Sequence, residues 1–448
     1  MNFRPSGAVD RLVAAALVLA FALAGWKISQ RTPASPLTVP LSGPVAPVAK
    51  PPSQQLSPDG RFRFDAQFVS SSPGQAVHAA SMVELNDGRL RAVWFSGSRE
   101  GAGDVTIQTA VMDPASLRWG AESTLFDRNK LQQGLWRYVK KLGNPVIARA
   151  PDGALWLWMV NVSLGGWAGS SITWARSADE GFTWSAPHRL VTSPFLNIST
   201  LVKAAPVNFE NGETGLPVYH EFVTKFGEVL RINSAGQVID KVRIPGSRGS
   251  LQPVVLVSAS EKAQIYMRAG NATALMASHT TDAGKTWAPT QVTAWPNPDS
   301  AVGGAVTNAG TQWLALNPAP RNREVLALLQ TAAGGSFDGA TPWLVESSAN
   351  PQVRTSLTEY ERLLSQELKA RGAREDEVQA YVASARRQLC GDQSCSQEFS
   401  YPYLLQSRDG YLHLVYTWHR TRIKHVRLDP LQNLQAAQAA PGHAPASK

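Results

Sequence analysis

The sequence has 448 residues, of which 43% are hydrophobic, so at least one large buried core is expected. Only 17% are charged, while 35 glycines, 30 prolines and 14 tryptophans favour many short strands over long helices. This composition excludes a mostly disordered chain and argues against a helical bundle. The net charge of +9 favours anionic partners. No basic run with interleaved aromatic residues stands out, so nucleic acid is not an expected partner.

The amino terminus has the pattern of an export signal. Arg4 and Arg11 precede an uncharged apolar stretch at 12–26, which contains the small-x-small sequence Ala22-Leu23-Ala24. The apolar stretch is shorter than the ~20 residues that comfortably span a bilayer, which favours a cleaved peptide over an uncleaved membrane anchor. Residues 1–31 are therefore predicted to be a signal peptide or an anchor, and the proline-rich residues 32–61 a stiff linker.

A tight turn followed by an alternating strand recurs along the chain. Asp87-Gly88, Asp152-Gly153 and Asp409-Gly410 each precede a run in which apolar and polar residues alternate. Asp-Gly supplies the positive φ angles of a hairpin turn, and a period of two places alternate side chains on opposite faces of a sheet. Such units without helices between them indicate an all-β array.

A second repeat has the form S/T-x-D-x-G-x-T-W. It occurs at 177–184 and again at 280–287. The pattern predicts a self-contained turn in which Asp179 or Asp282 accepts backbone N–H groups, and Gly181 or Gly284 is left-handed. The tryptophan that ends each repeat is expected to pack back on its own sheet.

One segment departs from the β pattern. Between 357 and 389 the apolar residues recur at intervals of three and four, which is the helical period. The segment predicts a helical hairpin broken near Gly372, at about 355–389. Two interpretations stay open: a packing element, or a lid over the mouth of the array.

Cys390 and Cys395 are the only cysteines. In an oxidising compartment they predict a small loop closed by a disulfide, with free thiols as the alternative. A zinc site would need a second cysteine pair or a nearby histidine pair, and the eight histidines are scattered, so no metal is predicted.

The repeat S/T-x-D-x-G-x-T-W is the Asp-box, and with it the chain resembles the sialidase (neuraminidase) superfamily, whose members are six-bladed β-propellers. Further motifs resemble the branch of BNR-repeat-like sialidase domain proteins. These motifs are His78-Ala79-Ala80-Ser81, the stretch 94–101, Gly143-Asn144-Pro145, Tyr219-His220-Glu221-Phe222, the stretch 248–253, Asn297-Pro298-Asp299-Ser300, Ser400-Tyr401-Pro402, and the stretch 416–425.

This resemblance implies an all-β fold: a six-bladed, sialidase-like β-propeller over 62–430, with the helical insertion near its C-terminal blades. Residues 431–448 are expected to form a disordered tail. Asp-boxes are structural in this superfamily, so Asp179 and Asp282 are not expected to be catalytic.

The resemblance also implies a central bowl with catalytic and anion-binding side chains. Tyr401 resembles the tyrosine nucleophile, Glu221 the glutamate that activates it, and Asp104 the acid/base. His78 stands where the superfamily has the first of three arginines, so the arginine clamp departs from the pattern. His78 is then either a core histidine or a general base.

The remaining candidates would bind the substrate. Arg248 and Arg420 are the best placed for a clamp on a carboxylate, with Arg323 as a weaker third. The other predicted substrate-binding residues are Arg99, Glu100, Asn144, Gln252 and Lys424.

The resemblance therefore implies an exported, exo-acting, sialidase-like glycoside hydrolase on an acidic glycan or glycoside, and it implies no cofactor. Contact with a membrane is expected only through the N-terminal segment if it is uncleaved. Two alternatives stay open. One is a lyase, in which His78 and Tyr401 would eliminate across a uronate. The other is a glycan-binding propeller without turnover, in which tryptophans provide stacking platforms; those named are Trp94, Trp156, Trp158 and Trp418.

Overall fold

The structure is a computed structural model. It describes residues 7–29, 35–39, 53, 55–113, 115–193, 197–270, 274–348, 350–351, 353–391 and 393–430. The predicted tail at 431–448 lies outside these residues. The chain forms two compact units that divide after Ser35.

The first unit holds one helix, α1 (Gly7–Ser29), which covers the predicted signal or anchor. Its residues 7–24 are long and apolar enough to cross a membrane, a property that signal sequences share.

The second unit is built from six antiparallel sheets that follow one another along the chain, here called blades 1 to 6. Blade 1 consists of Ala76–Glu84, Leu90–Gly97, Thr106–Asp113, Arg118–Trp119 and Ser123–Phe126. Blade 2 consists of Lys141–Arg149, Leu155–Val162, Ser170–Ser177 and His188–Arg189. Blade 3 consists of Leu201–Val202, Val207–Asn208, Thr214–His220, Phe226–Ile232 and Val238–Arg243.

The second half of the ring repeats this plan. Blade 4 consists of Ser250–Ala259, Lys262–Ala269, Ala274–Thr280 and Gln291–Pro296. Blade 5 consists of Gly303–Val306, Gln312–Leu316, Val325–Thr331 and Trp343–Ser347. Blade 6 consists of Phe399–Gln406, Leu412–Trp418 and Arg422–Leu428, to which the N-terminal strands Arg63–Phe68 and Gln55–Leu56 are added.

The hydrophobic core confirms that the sheets form a propeller. It divides into six clusters, and each lies between two blades that are neighbours in the ring, including blades 6 and 1. Trp94, Trp156, Trp158 and Trp418 are all buried in these clusters. They are therefore not accessible to sugars. The expectation that these tryptophans provide stacking platforms in a glycan-binding propeller is wrong.

The two repeats form the turns that the sequence predicts. Gly88, Gly153 and Gly410 have φ near +84° in the hairpins that open blades 1, 2 and 6. In the first Asp-box, Asp179 accepts hydrogen bonds from the backbone N–H and the hydroxyl of Thr183 at 2.9 and 2.6 Å. These bonds lower the pKa of Asp179 to about 2. The second box repeats the arrangement around Asp282.

Three further helices lie in connections between the strands of the propeller. Helix α2 (Arg128–Leu135) connects blades 1 and 2, and a 3₁₀ turn lies at Trp167–Gly169. Helices α3 (Leu357–Ala370) and α4 (Glu375–Leu389) form the predicted hairpin, with Gly372 left-handed at φ +83° between them.

The helical hairpin packs on the last blades. Its apolar side joins the core cluster between blades 5 and 6. The Tyr360 hydroxyl of α3 is hydrogen-bonded to Nδ1 of His419 at 3.0 Å, and Gln388 of α4 donates to the carbonyl of Arg420 at 3.3 Å. These contacts favour the packing interpretation over a lid. A small sheet follows, of Thr355–Ser356, Cys390–Gly391 and Ser394–Cys395, in which a disulfide joins Cys390 to Cys395.

The chain enters the fold earlier than residue 62. Leu37 is buried between blades 3 and 4 and forms an isolated bridge with Phe209, and Gln55–Leu56 pairs with Arg63–Phe68. The expectation that 32–61 is only a spacer is therefore wrong for these described residues. This docking rests on contacts between segments that are distant in the chain, so local sequence patterns do not reveal it.

A chain of hydrogen bonds runs from Trp119 of blade 1 through buried side chains of blade 6, and its proton positions can be assigned. The Trp119 indole can only donate, so Nδ1 of His425, at 3.3 Å, accepts. Nε2 of His425 then donates to Nδ1 of His413 at 2.9 Å, and Nε2 of His413 donates to the Ser407 hydroxyl at 2.8 Å. Ser407 in turn donates to Asp409. Every member is satisfied with both histidines neutral.

We expect three buried histidines, His78, His419 and His425, to make the free energy of unfolding depend on pH. Burial lowers the pKa of His425 and of His78 well below 6.5, and lowers that of His419 to about 3. The unfolded chain therefore binds protons near pH 6.5 that the folded chain does not, so stability is present above that pH and is lost as pH falls below it. When the pH falls from 7.5 to 5.5, each of these histidines should lower the free energy of unfolding by about 1.4 kcal/mol.

Urea unfolding at the two pH values measures this loss. His425→Gln should reduce the pH dependence, whereas the same change at the exposed His279 should leave it unaltered. A free energy of unfolding that is equal at both pH values would contradict the expectation.

Candidate functional site

The first strands of the blades share an unusual backbone. Six non-glycine residues with positive φ lie at or just before these strands, one for each blade: Ala79, Asn144, Ser199, Gln252, Asp299 and Tyr401. In blades 1, 2, 4 and 6 the residue lies within a β-bulge. Non-glycine residues rarely adopt this conformation, and bulges re-aim side chains at functional sites. Three of the six carry predicted site side chains.

Tyr401 is the centre of the site. Its hydroxyl oxygen accepts hydrogen bonds from Nη1 of Arg268 at 2.8 Å and from Nε2 of Gln252 at 3.2 Å. Arg268 also donates to the amide oxygen of Gln252 at 3.1 Å, which fixes the amide orientation. Two donors therefore converge on one phenol oxygen and would stabilise negative charge that develops there.

Three arginines from successive blades surround this tyrosine. Arg268 of blade 4 pairs with Asp299 at 2.5 Å. Arg323 of blade 5 lies 5.7 Å from the centre of the Tyr401 ring and donates to the carbonyl of Asp299 at 2.8 Å. Arg420 lies in the last hairpin of blade 6. Burial would lower its pKa, but Glu398 and, to a smaller extent, Glu100 and Tyr401 raise it. Guanidinium groups in this arrangement suit a carboxylate ligand.

Glu398, which the sequence did not single out, holds two of these arginines in place. It lies 3.2 Å from Arg323 and 2.9 Å from Arg420, and it accepts a hydrogen bond from the Ser400 hydroxyl at 2.6 Å. Burial would raise the pKa of Glu398, but Arg420 and Arg323 lower it to about 2. Its position three residues before Tyr401 in the chain is the only sequence signal that could have found it.

His78 contacts Tyr401 from blade 1. The centres of the two rings are 4.0 Å apart, and Nδ1 of His78 is hydrogen-bonded to the Thr417 hydroxyl at 2.8 Å. Burial, followed by the charge of Arg420, holds the pKa of His78 well below its usual value. His78 is therefore a neutral imidazole at the edge of the site.

Blade 3 contributes Tyr219 and Glu221. The Tyr219 hydroxyl accepts from Nδ2 of Asn144 at 3.1 Å and lies 3.4 Å from Nε2 of Gln252. Burial and the neighbouring Tyr401 raise the pKa of Tyr219 well above 10. Glu221 is half-buried, and burial raises its pKa. A carboxyl group of this kind is suited to donate a proton.

The loop at 98–104 supplies one contact to the site. Glu100 pairs with Arg420 at 3.3 Å, while Arg99 is exposed. Asp104 is exposed as well, and it accepts hydrogen bonds from the backbone and the hydroxyl of Ser98, both at 3.0 Å. Asp104 therefore caps its own loop, which does not favour the predicted acid/base role.

Two predicted substrate-binding residues lie apart from Tyr401. Arg248 is exposed and has no ion pair or hydrogen bond from its side chain to any residue that the structure describes. Arg268 provides the guanidinium of blade 4 instead. Lys424 is buried beneath α3, where it pairs with Glu346 at 2.5 Å and with Glu367 at 2.8 Å. It stabilises the packing of the helical hairpin and is not available to a substrate.

Lys203 is a second residue that the sequence did not reveal. Its side chain is 2% exposed, and its Nζ lies 5.7 Å from the centre of the Tyr401 ring and 5.8 Å from that of Tyr403. Burial lowers the pKa of Lys203 to about 7. Nothing in the local sequence 199–205 distinguishes this lysine from a surface residue.

No group of three or more histidine, cysteine, aspartate and glutamate side chains that could hold a metal ion occurs among the residues with described coordinates. The site is composed of arginines, the phenols of Tyr401 and Tyr219, the neutral His78 and the buried Lys203. The carboxylates Asp299, Glu398 and Glu100 pair with the arginines.

Comparison with solved structures identifies the same fold elsewhere. A protein of unknown function from Dyadobacter fermentans matches with a TM-score of 0.59 at 10% identity, covering 82% of this chain and 99% of that one. A Hadza microbial sialidase matches with a TM-score of 0.60 at 12% identity over 80% of this chain and 66% of its own. The leech intramolecular trans-sialidase has a TM-score of 0.55 at 11% identity, with 83% and 70% covered. At these identities the likeness shows the fold alone.

The sequence comparisons give the family. No curated protein matches the sequence. The model of the BNR repeat-like domain matches residues 88–414, which run from the first hairpin of blade 1 to the second strand of blade 6. Since this match covers well over half of the chain, the protein belongs to the BNR repeat-like domain family, within a six-bladed propeller of sialidase type.

Proposed function

We propose that this protein is an exo-acting glycoside hydrolase that removes an acidic sugar from a glycan or glycoside, in the manner of a sialidase. The observation that carries the proposal is the convergence of Arg268 and Arg323 on Tyr401, with Arg420 joined to Arg323 through Glu398. A carboxylate on the sugar would be held by the guanidinium groups, which places the anomeric carbon near the phenol oxygen.

Tyr401 is the proposed nucleophile: its oxygen would bond to the anomeric carbon as the bond to the leaving group breaks, and its proton would pass to solvent. A sugar whose anomeric carbon bears a carboxylate would repel a carboxylate nucleophile, whereas a phenol is neutral before it reacts. The donors Arg268 and Gln252 support this role because they stabilise charge on the attacking oxygen.

Glu221 is the proposed proton donor to the leaving group. Its half-buried carboxyl with a raised pKa supports this role better than the exposed Asp104 does. We also propose that α1 directs the chain out of the cytoplasm, to the periplasm or beyond, either as a cleaved signal or as an anchor.

The test is turnover of acidic and neutral substrates by the purified chain. Sialosides and uronate polysaccharides are incubated with the protein, and free sugar is scored. Arg268→Gln should lower kcat/KM on the acidic substrate by roughly 10², the cost of truncating one partner of a close charge pair. Arg248→Gln, the arginine favoured by the sequence, should have little effect.

Two outcomes would overturn the proposal. One is a neutral glycoside turned over as well as its acidic counterpart. The other is full activity in Arg268→Gln together with a loss in Arg248→Gln.

A uronate lyase is the second candidate, favoured by the neutral His78 imidazole 4.0 Å from the Tyr401 ring. Elimination needs a base for the C–H proton and cations on the uronate carboxylate. The same incubation separates the reactions, because a lyase leaves unsaturated ends that absorb in the ultraviolet and a hydrolase leaves none.

A further inference from the structure

The segment that carries Lys203 crosses the middle of the ring. The first position of blade 3 is divided into two short strands, Leu201–Val202 and Val207–Asn208, which pair with opposite ends of Thr214–His220. Between them, Ala204 packs into the cluster between blades 4 and 5, and Ala205 packs against the cluster between blades 6 and 1. Blade 3 is not a neighbour of blades 5, 6 or 1. The connection therefore reaches across the centre of the ring, where Lys203 lies 5.7 Å from the Tyr401 ring.

Lys203 is the unpaired cation of the site. Arg268 is balanced by Asp299, and Arg323 and Arg420 share Glu398, with Glu100 on the outer side of Arg420. Lys203 has no ion pair and no hydrogen-bond acceptor among the described residues; its neighbours are the faces of Tyr401 and Tyr403. A lysine that is 2% exposed and unpaired is costly to keep charged, so its protonation depends on what else occupies the tunnel.

We propose that Lys203 is a proton-linked anion sensor at the floor of the bowl: binding of an acidic sugar is coupled to protonation of Lys203, whose ammonium then stabilises the ligand carboxylate and the charge that develops on Tyr401. The inference rests on the proposed function, since it requires an anion in the bowl. The step is a simple proton transfer from solvent, in which the lysine amine gains the proton and no other bond changes.

The surroundings of Lys203 define which other groups could take that proton. From blade 6 it faces the rings of Tyr401 and Tyr403, and burial raises the pKa of Tyr403. From blade 1, His78 interacts with Lys203 through its charge: burial lowers the pKa of His78 most, followed by Arg420 and Arg323 and last by Lys203. Arg268 and Arg323 adjoin Tyr401 on its other sides. With a pKa of about 7, Lys203 is mainly neutral at pH 8, and a bound carboxylate would raise that value.

Calorimetry at about pH 8 in buffers of different ionisation enthalpy tests the coupling, with the full chain and N-acetylneuraminic acid or glucuronic acid as the ligand. The dependence of the binding heat on the buffer gives the protons taken up per ligand, and we expect about one. N-acetylglucosamine, which has no carboxylate, should take up none.

Variants show which side chain takes up the proton when the ligand binds. Lys203→Arg keeps a permanent charge, so it should bind the acidic ligand with no proton uptake, and Lys203→Met should also show none. His78→Gln should retain the uptake, as should Lys140→Met, which alters an exposed lysine.

The outcomes separate the two proposals. Binding of an acidic sugar without proton uptake, or with uptake that persists in Lys203→Arg and disappears in His78→Gln, overturns the role of Lys203 and leaves the proposed function standing. Absence of binding by either acid overturns both.

Discussion

Tyr401→Phe is expected to lower turnover of the acidic substrate by roughly 10³ or more, since the change removes the nucleophilic oxygen and leaves the ring in place. The phenyl ring should keep its contact with His78, and the backbone at φ +57° is unchanged. Arg268 and Gln252 each lose one acceptor, which should cost about 1 kcal/mol of stability.

The measurement is kcat/KM together with thermal unfolding of the same preparation. Tyr138→Phe is the matched control, because Tyr138 is exposed and outside the cluster. If binding of the acidic ligand is retained while turnover disappears, Tyr401 acts in the chemical step. Turnover within tenfold of the unaltered protein would reject Tyr401 as nucleophile, and a large loss of melting temperature would mean that the change acts through the fold.

Glu398→Gln is expected to lower the free energy of unfolding by about 3–5 kcal/mol, the usual cost of removing one partner of a buried ion pair. The glutamate is buried, and the change would leave the charges of Arg323 and Arg420 without their shared carboxylate. Since these arginines are part of the proposed clamp, affinity for an acidic sugar should fall as well.

Denaturant unfolding measures this loss, and Glu375→Gln provides the control. Glu375 lies in the first turn of α4 in an exposed ion pair with Lys369, where such pairs contribute little. A Glu398→Gln protein as stable as the control would show that the two guanidiniums do not depend on this carboxylate.

The sequence determined the local parts of this molecule most clearly. The Asp-box turns follow from side chains within a few residues of each other, so Asp179 and Thr183 could be predicted to bond. The resemblance to sialidases then supplied the propeller and brought Tyr401 and Gln252 into one site. Both lie in short motifs on first strands, where the chain itself marks the bulge with a following proline.

The side chains that the sequence missed are those whose role depends on partners from other blades. Arg268 looks no different from Arg248 in the sequence, and only the register of blade 4 places the former against Tyr401. Lys424 seemed a candidate because it is basic and lies in a matched motif, yet its partners Glu346 and Glu367 come from blade 5 and from α3. Burial and pairing of this kind are tertiary properties.

The strand at Arg63–Phe68 has a consequence for how the molecule is made. It pairs with Arg422–Leu428, a strand that is synthesised more than 300 residues later. The N-terminal strand therefore has no partner in blade 6 until nearly the whole chain has been made. Joining segments so remote is slow, because a long loop must be ordered before its contacts form. Until these two strands pair, blade 6 has an exposed strand edge that can form hydrogen bonds with another chain. We therefore expect the risk of aggregation to be greatest during folding, before Arg63–Phe68 pairs with Arg422–Leu428.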